Sequence, residues 1–184
     1  MNDPDTLPEN IVLIGFMGCG KSTVGRELQH RLGYELVDMD HEIEQRAGKP
    51  ITAIFEDVGE PAFREMETAV LKDLARETQR QRIISTGGGV VGREENRALL
   101  RRMGYVVWLA APVEVILDRT AKSRTRPLLH TEDPATKIQH LMVEREPLYQ
   151  ETAHFKLDTA GLDSKELATG ILECARYFFS HCDR

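Results

Sequence analysis

One run, Gly15 to Thr23 with the letters GFMGCGKST, does most to limit what this chain can fold into, because it contains the spacing G-x-x-x-x-G-K-[ST]. Ile11 to Ile14 are apolar and lead straight into Gly15, while Val24, Leu28 and Leu32 follow at helical spacing, so the run joins a strand to a helix. A strand, glycine loop and helix of this kind belong to a parallel sheet with helices packed on it, where ligands bind at the C-terminal ends of the strands. Gly15, Gly18 and Gly20 let successive N–H groups approach an anion closely, and the helix beginning near Lys21 adds its positive end. Lys21 is placed to reach the β and γ phosphates of a nucleoside triphosphate, and the Ser22 hydroxyl to ligate Mg²⁺, a hard cation that prefers oxygen; Cys19 and Thr23 complete the nucleotide-binding run. A glycine turn that merely packs tightly has no use for the Lys-Ser pair.

The 184 residues suit one domain, expected over 11–184 behind a polar, Pro-containing tail at 1–10 that should fray and that has no signal-peptide character. A net charge of −6 argues against general affinity for nucleic acid, so an anionic ligand has to be held by local clusters of Arg and Lys. Cys19, Cys174 and Cys182 have no metal spacing, the six histidines have no ligand spacing, and no apolar run approaches the roughly 20 residues of a membrane span. Free thiols of this kind fit a reducing, cytoplasmic setting.

Along the chain, Tyr34 to Val37 reads as a second strand ending in Asp38-Met39-Asp40. By the period of two, both carboxylates would face the loop from an extended chain; the alternative is that Asp40 caps a helix over 41–47 that stops at Gly48. Ile51 to Val58 has helical spacing, Gly59 breaks it, and a longer helix starts near Pro61. On that helix Arg64 and Glu67 stand i,i+3, a spacing that by itself fits a solvated surface pair. Arg82 to Ser85 is a third strand, and Gly87, Gly88 and Gly89 just beyond it imply a close backbone approach to a ligand or to a neighbouring helix. No other apolar strand ends in an Asp suited to Mg²⁺, which leaves Asp38, helped by Ser85. Helices follow over 94–103, 112–120 and 134–148, the last closed by Pro147; strands run over 105–110, with Trp108 in the core, and over 154–157. Asp163 or Ser164 caps a final helix. Between 122 and 133 lies a basic tract with little periodicity, suited to a mobile lid over phosphates, the alternative being a solvated linker. The expected fold is therefore a three-layer α/β/α domain with a five-stranded parallel sheet and a lid at about 122–133.

With these residues identified, the chain resembles the shikimate kinases from Ile11 to the last helix. The likeness is carried by GFMGCGKST, Asp38-Met39-Asp40, Phe63-Arg64 with Glu67, Gly87 to Gly89, Arg126-Pro127-Leu128-Leu129, and Arg145 with Pro147-Leu148-Tyr149. The resemblance implies a nucleoside-monophosphate-kinase-like fold and transfer of the ATP γ-phosphoryl group to the 3-hydroxyl of shikimate. It assigns Asp40 to the shikimate hydroxyls, Arg64 and Arg145 to its carboxylate, and Gly87, Gly88 and Gly89 to the neighbourhood of the ring. Lys21 becomes the phosphate lysine, Ser22 a Mg²⁺ ligand with Asp38 in the outer shell, Arg119 the residue over adenine, and Arg126 the lid arginine. The implied partners are the small molecules shikimate and ATP, with no nucleic acid or membrane, for a monomer in the cytoplasm.

Overall fold

A computed structural model describes residues 7–77, 81–120 and 133–181. Five strands, β1 (Asn10–Ile14), β2 (Glu35–Asp38), β3 (Arg82–Ser85), β4 (Tyr105–Ala110) and β5 (Phe155–Asp158), form one sheet in the order β2-β3-β1-β4-β5. All four pairings are parallel. Among the described residues, seven helices connect and cover them: α1 (Lys21–Leu32), α2 (Met39–Ala47), α3 (Ile51–Arg76), α4 (Glu94–Met103), α5 (Val113–Thr120), α6 (Pro134–Thr152) and α7 (Ser164–His181).

The central strand shows why both faces need helices. Ile11 and Leu13 join one apolar cluster with Val24, Leu28, Ile116 and Ile171, while Val12 and Ile14 join another with Ile43, Leu71, Leu100 and Trp108. Alternate side chains of a strand point to opposite faces, so an unbroken apolar run such as NIVLI is stable only when covered on both sides. The three-layer expectation holds, and Trp108 lies in the core as expected.

Several boundaries differ from the sequence reading for physical reasons. The helix expected at 41–47 starts at Met39, because Asp38 rather than Asp40 is its cap: the Asp38 side chain accepts from the Asp40 N–H at 3.1 Å. Asp40 therefore leaves from the first turn of a helix, not from an extended chain. Gly59 does break α3, with φ 77 and ψ 173 separating two helical halves. Pro147 does not close α6, which runs on to Thr152. The amide hydrogen that proline lacks would have reached Val143, an exposed residue, and the turns beyond it bury Tyr149 and Thr152. A 3-10 turn at Val90–Gly92, not foreseen, follows the glycine run. Asp163 is the cap of α7, accepting from the N–H groups of Lys165 and Glu166 while Glu166 accepts from its own N–H.

Candidate active site

The glycine loop leaves β1 at the C-terminal edge of the sheet and re-enters as α1. Gly15, Gly18 and Gly20 have φ of 140, 78 and 103, and a Cβ on Gly15 would overlap the Leu109 carbonyl oxygen. The Lys21 ammonium, only 9% exposed, donates to the carbonyls of Gly15 at 2.8 Å and Phe16 at 2.9 Å, across the loop it is meant to serve. The Cys19 thiol is buried beneath the loop, its Sγ 3.7 Å from Lys21 Nζ. Ser22 Oγ donates to Asp38 Oδ2 at 2.9 Å, and Arg119, from the last turn of α5, donates to the Gly18 carbonyl at 3.3 Å. Gly18, Cys19, Lys21, Ser22, Asp38 and Arg119 line a cavity of about 480 Å³ together with Gly20, Thr23 and Ser85. A helix N-terminus, inward N–H groups and one ammonium at its floor make it suited to a polyphosphate. Among the described residues no three His, Cys, Asp or Glu side chains gather to hold a metal by themselves. The paired oxygens of Ser22 and Asp38 fit instead a hard cation shared with phosphates.

A second cavity of about 300 Å³ adjoins it and shares Met17, Asp40 and Gly88 with it. Its other walls include Phe55, Phe63, Arg64, Glu67, Gly87, Gly89 and Arg145. Arg64 is ion-paired to Glu67 and to Glu60, the latter at 2.8 Å, and its guanidinium lies 5.3 Å from the Phe63 ring centre. Arg145 reaches in from α6, 7% exposed, with one nitrogen 3.2 Å from the Gly88 carbonyl and its guanidinium 5.7 Å from the Phe16 ring centre. The three glycines are needed where these groups crowd the backbone. A Cβ on Gly87 would overlap Glu67 and come within 3.0 Å of Asp40, and one on Gly89 would overlap the Arg64 guanidinium. The packing meaning offered by the sequence thus applies to the glycine run, which also lines the second cavity.

Burial sets the electrostatics here. The Glu67 carboxyl, 1% exposed, is pushed above its usual range by burial, against the pull of Arg64 and with a further upward push from Asp40. Burial works against the charge on Arg64 too, but Glu67 and Glu60 outweigh it and keep the guanidinium above its ordinary value. We read Arg64 as a fixed cation, since it reaches solvent more than Glu67 does. The solvated-surface alternative for this pair is set aside, because one partner is buried. Two positively charged planar forks thus face one pocket with a carboxylate, Asp40, at its boundary with the phosphate cavity, which is an arrangement for a small carboxylated alcohol.

The residues expected from sequence are brought together in these two cavities, except Gly15, which lines neither and packs against the Leu109 carbonyl, and except Arg126 and the 122–132 part of the proposed lid, which lie outside the described residues. Sequence reasoning missed Glu67 as a buried partner, Phe55 and Met17 as walls of the acceptor cavity, and Leu162, an exposed leucine lining the nucleotide cavity. The only signal for Leu162 was its place in the connection after the fifth strand, at the ligand edge of the sheet.

Comparison with known proteins agrees with the geometry. The family model described as shikimate kinase matches residues 17–176. A curated shikimate kinase of Acinetobacter baylyi is 47% identical over 177 residues, covering 96% of this chain and 97% of the relative. The structure of a shikimate kinase from Acinetobacter baumannii in complex with shikimate superposes with a TM-score of 0.88 at 43% identity, covering 98% of this chain and 97% of that one. The Aquifex aeolicus shikimate kinase superposes with a TM-score of 0.80 at 37% identity, over 94% of this chain and 98% of that one. Together with the paired cavities, these matches establish that the chain belongs to the shikimate kinase family.

Proposed function

We propose that the protein is an ATP-dependent kinase that transfers the γ-phosphoryl group to the 3-hydroxyl of shikimate, giving shikimate 3-phosphate and ADP in aromatic amino-acid biosynthesis. The observation that carries the reading is the convergence of Arg64, Arg145, Asp40 and the glycine run on one cavity that opens into the phosphate cavity. ATP would lie with its phosphates on the loop from Gly15 to Thr23 and its base between Arg119 and Leu162. Mg²⁺ would be held by Ser22, with Asp38 behind it, and would neutralise charge on the β and γ phosphates.

The chain's own residues then have distinct tasks. Lys21 exchanges its backbone carbonyl partners for phosphate oxygens as charge spreads in a loose transition state. Arg64 and Arg145 fix the acceptor carboxylate, which directs the attacking hydroxyl to Asp40 at the junction of the cavities. Asp40 orients that hydroxyl and takes its proton late, since such a transition state does not require early deprotonation. Arg126 is assigned to the closing phosphates on its sequence motif alone. The setting we propose is a single 11–184 domain acting as a cytoplasmic monomer on small molecules. Cys19 and Cys174 are free thiols, which supports a reducing setting; among the described residues, no helix is long and apolar enough to cross a membrane. An assay of ATP consumption with shikimate, gluconate and nucleoside monophosphates tests the proposal. Shikimate-dependent ADP release is expected, and a clear preference for either other acceptor overturns it.

A further inference from the structure

Gly88 is the one glycine of its run that lines both cavities, and its carbonyl oxygen receives two donors from the same face of α6. One is Arg145, at 3.2 Å; the other is the Tyr149 hydroxyl, at 2.5 Å, one helical turn further on. Behind the Gly88 peptide lies the phosphate loop, so close that a Cβ on Gly88 would stand 3.1 Å from the Met17 nitrogen. Tyr149 itself is 2% exposed, and its ring stacks on Trp108 with centroids 5.7 Å apart.

We infer that Tyr149, which lines neither the nucleotide nor the acceptor cavity, is a positioning residue that latches the Gly88 peptide so that Arg145 is free to turn to a bound carboxylate. The two donors differ in what else they have to do. Arg145 carries a charge that a substrate carboxylate will claim, and each hydrogen bond it then gives to the ligand competes with the one it gives Gly88. Tyr149 has a single donor hydrogen, and burial pushes its phenol well above the ordinary value, so that hydrogen stays in place throughout the working range of pH. A trans peptide whose C=O is held toward α6 turns the N–H of Gly89 the other way, and Gly89 is a wall of the acceptor cavity beside Arg64. The latch therefore sets one backbone face of the acceptor cavity before any substrate arrives, which is where preorganisation increases affinity.

This inference rests on the acceptor reading above, and its test separates the two. Tyr149→Phe keeps the ring on Trp108 and removes only the hydroxyl; Trp108→Phe disturbs the same packing and leaves the hydroxyl. With no substrate present, amide hydrogen exchange across Gly87 to Gly89 is expected to quicken roughly tenfold in Tyr149→Phe and to stay unchanged in Trp108→Phe. In calorimetric titration the Kd for shikimate should rise roughly threefold to thirtyfold in Tyr149→Phe alone, with KM for ATP within about twofold of the parent. Unchanged exchange in Tyr149→Phe, or equal effects of the two substitutions on exchange or on shikimate affinity, overturns the latch. If the parent protein binds no shikimate while exchange responds as expected, the latch stands and the acceptor assignment fails.

Discussion

At the scale of single residues, the paired cavities gather Lys21, Arg64 and Arg145 along one cleft and bury a carboxylate, Glu67, against Arg64. Lys21 is engaged with two loop carbonyls, so replacing it removes a positioned ammonium without opening a core cavity. Lys21→Ala should lower kcat roughly a hundredfold to a thousandfold with little change in the thermal midpoint, and near-normal turnover would remove Lys21 from the mechanism. Arg145→Ala should raise KM for shikimate by about thirtyfold or more and move KM for ATP much less; equal changes in both would place Arg145 outside the acceptor cavity. Glu67 gives a pH-dependent test. Its folded-state value is raised by burial, so the folded chain holds that proton more tightly than the unfolded one does. Its contribution to stability is thus fullest below the ordinary carboxylate range and is lost as pH rises through the raised value. Glu67→Gln, which has no charge to bury, should gain thermal midpoint relative to the parent as pH rises above the ordinary carboxylate range, and a difference that stays constant as pH rises refutes the assignment. Sequence gave Glu67 its helical spacing to Arg64 but no sign of depth, because an i,i+3 pair looks the same on a wet face and a dry one.

At the scale of elements, legibility followed how local the determining force was. The third strand, the fourth strand and α4 fall at the residues expected, because apolar runs and terminal glycines act within a few positions. The expected end of α6 at Pro147 failed because the stop signal is local while the reason to continue is not: Tyr149 must reach both Trp108 and Gly88. Asp40 was placed on the right side of the cleft by a period-two argument that does not describe its backbone, since the strand ends at Asp38 and a helix begins. The break in α3 was read correctly, and it has a use. Gly59 sits at φ 77 and ψ 173, a region open to glycine almost alone, and the half-helix before it carries Ile51, Thr52 and Phe55 to the acceptor cavity. Gly59→Ala should therefore cost about 1 to 3 kcal/mol of stability and raise KM for shikimate several-fold, leaving KM for ATP near the parent value. A variant as stable as the parent would show that the backbone there adapts without cost.

At the scale of the whole molecule, a chain of net charge −6 concentrates Lys21, Arg64, Arg119 and Arg145 at the edge where the strands end. That edge is a property of the parallel sheet, and the same sheet serves kinases of unlike acceptors, so selectivity has to come from the walls of the smaller cavity. The arginines alone do not supply it, because gluconate also carries a carboxylate and would meet the same two forks. An open-chain acid and a compact cyclohexene ring would meet differently the apolar wall formed by Phe55 and Phe63, whose ring centres lie 4.8 Å apart beside the Arg64 guanidinium. A ring buries its faces against such a wall, whereas an acyclic polyol would bury hydroxyls there without partners. The parent protein should accordingly favour shikimate over gluconate by at least about a hundredfold in kcat/KM. Truncating the partly exposed member, Phe55→Ala, should raise KM for shikimate by about tenfold while any gluconate turnover stays as low as before. If gluconate proved as good a substrate as shikimate, or if Phe55→Ala left shikimate KM unchanged, then selectivity would not lie in this wall.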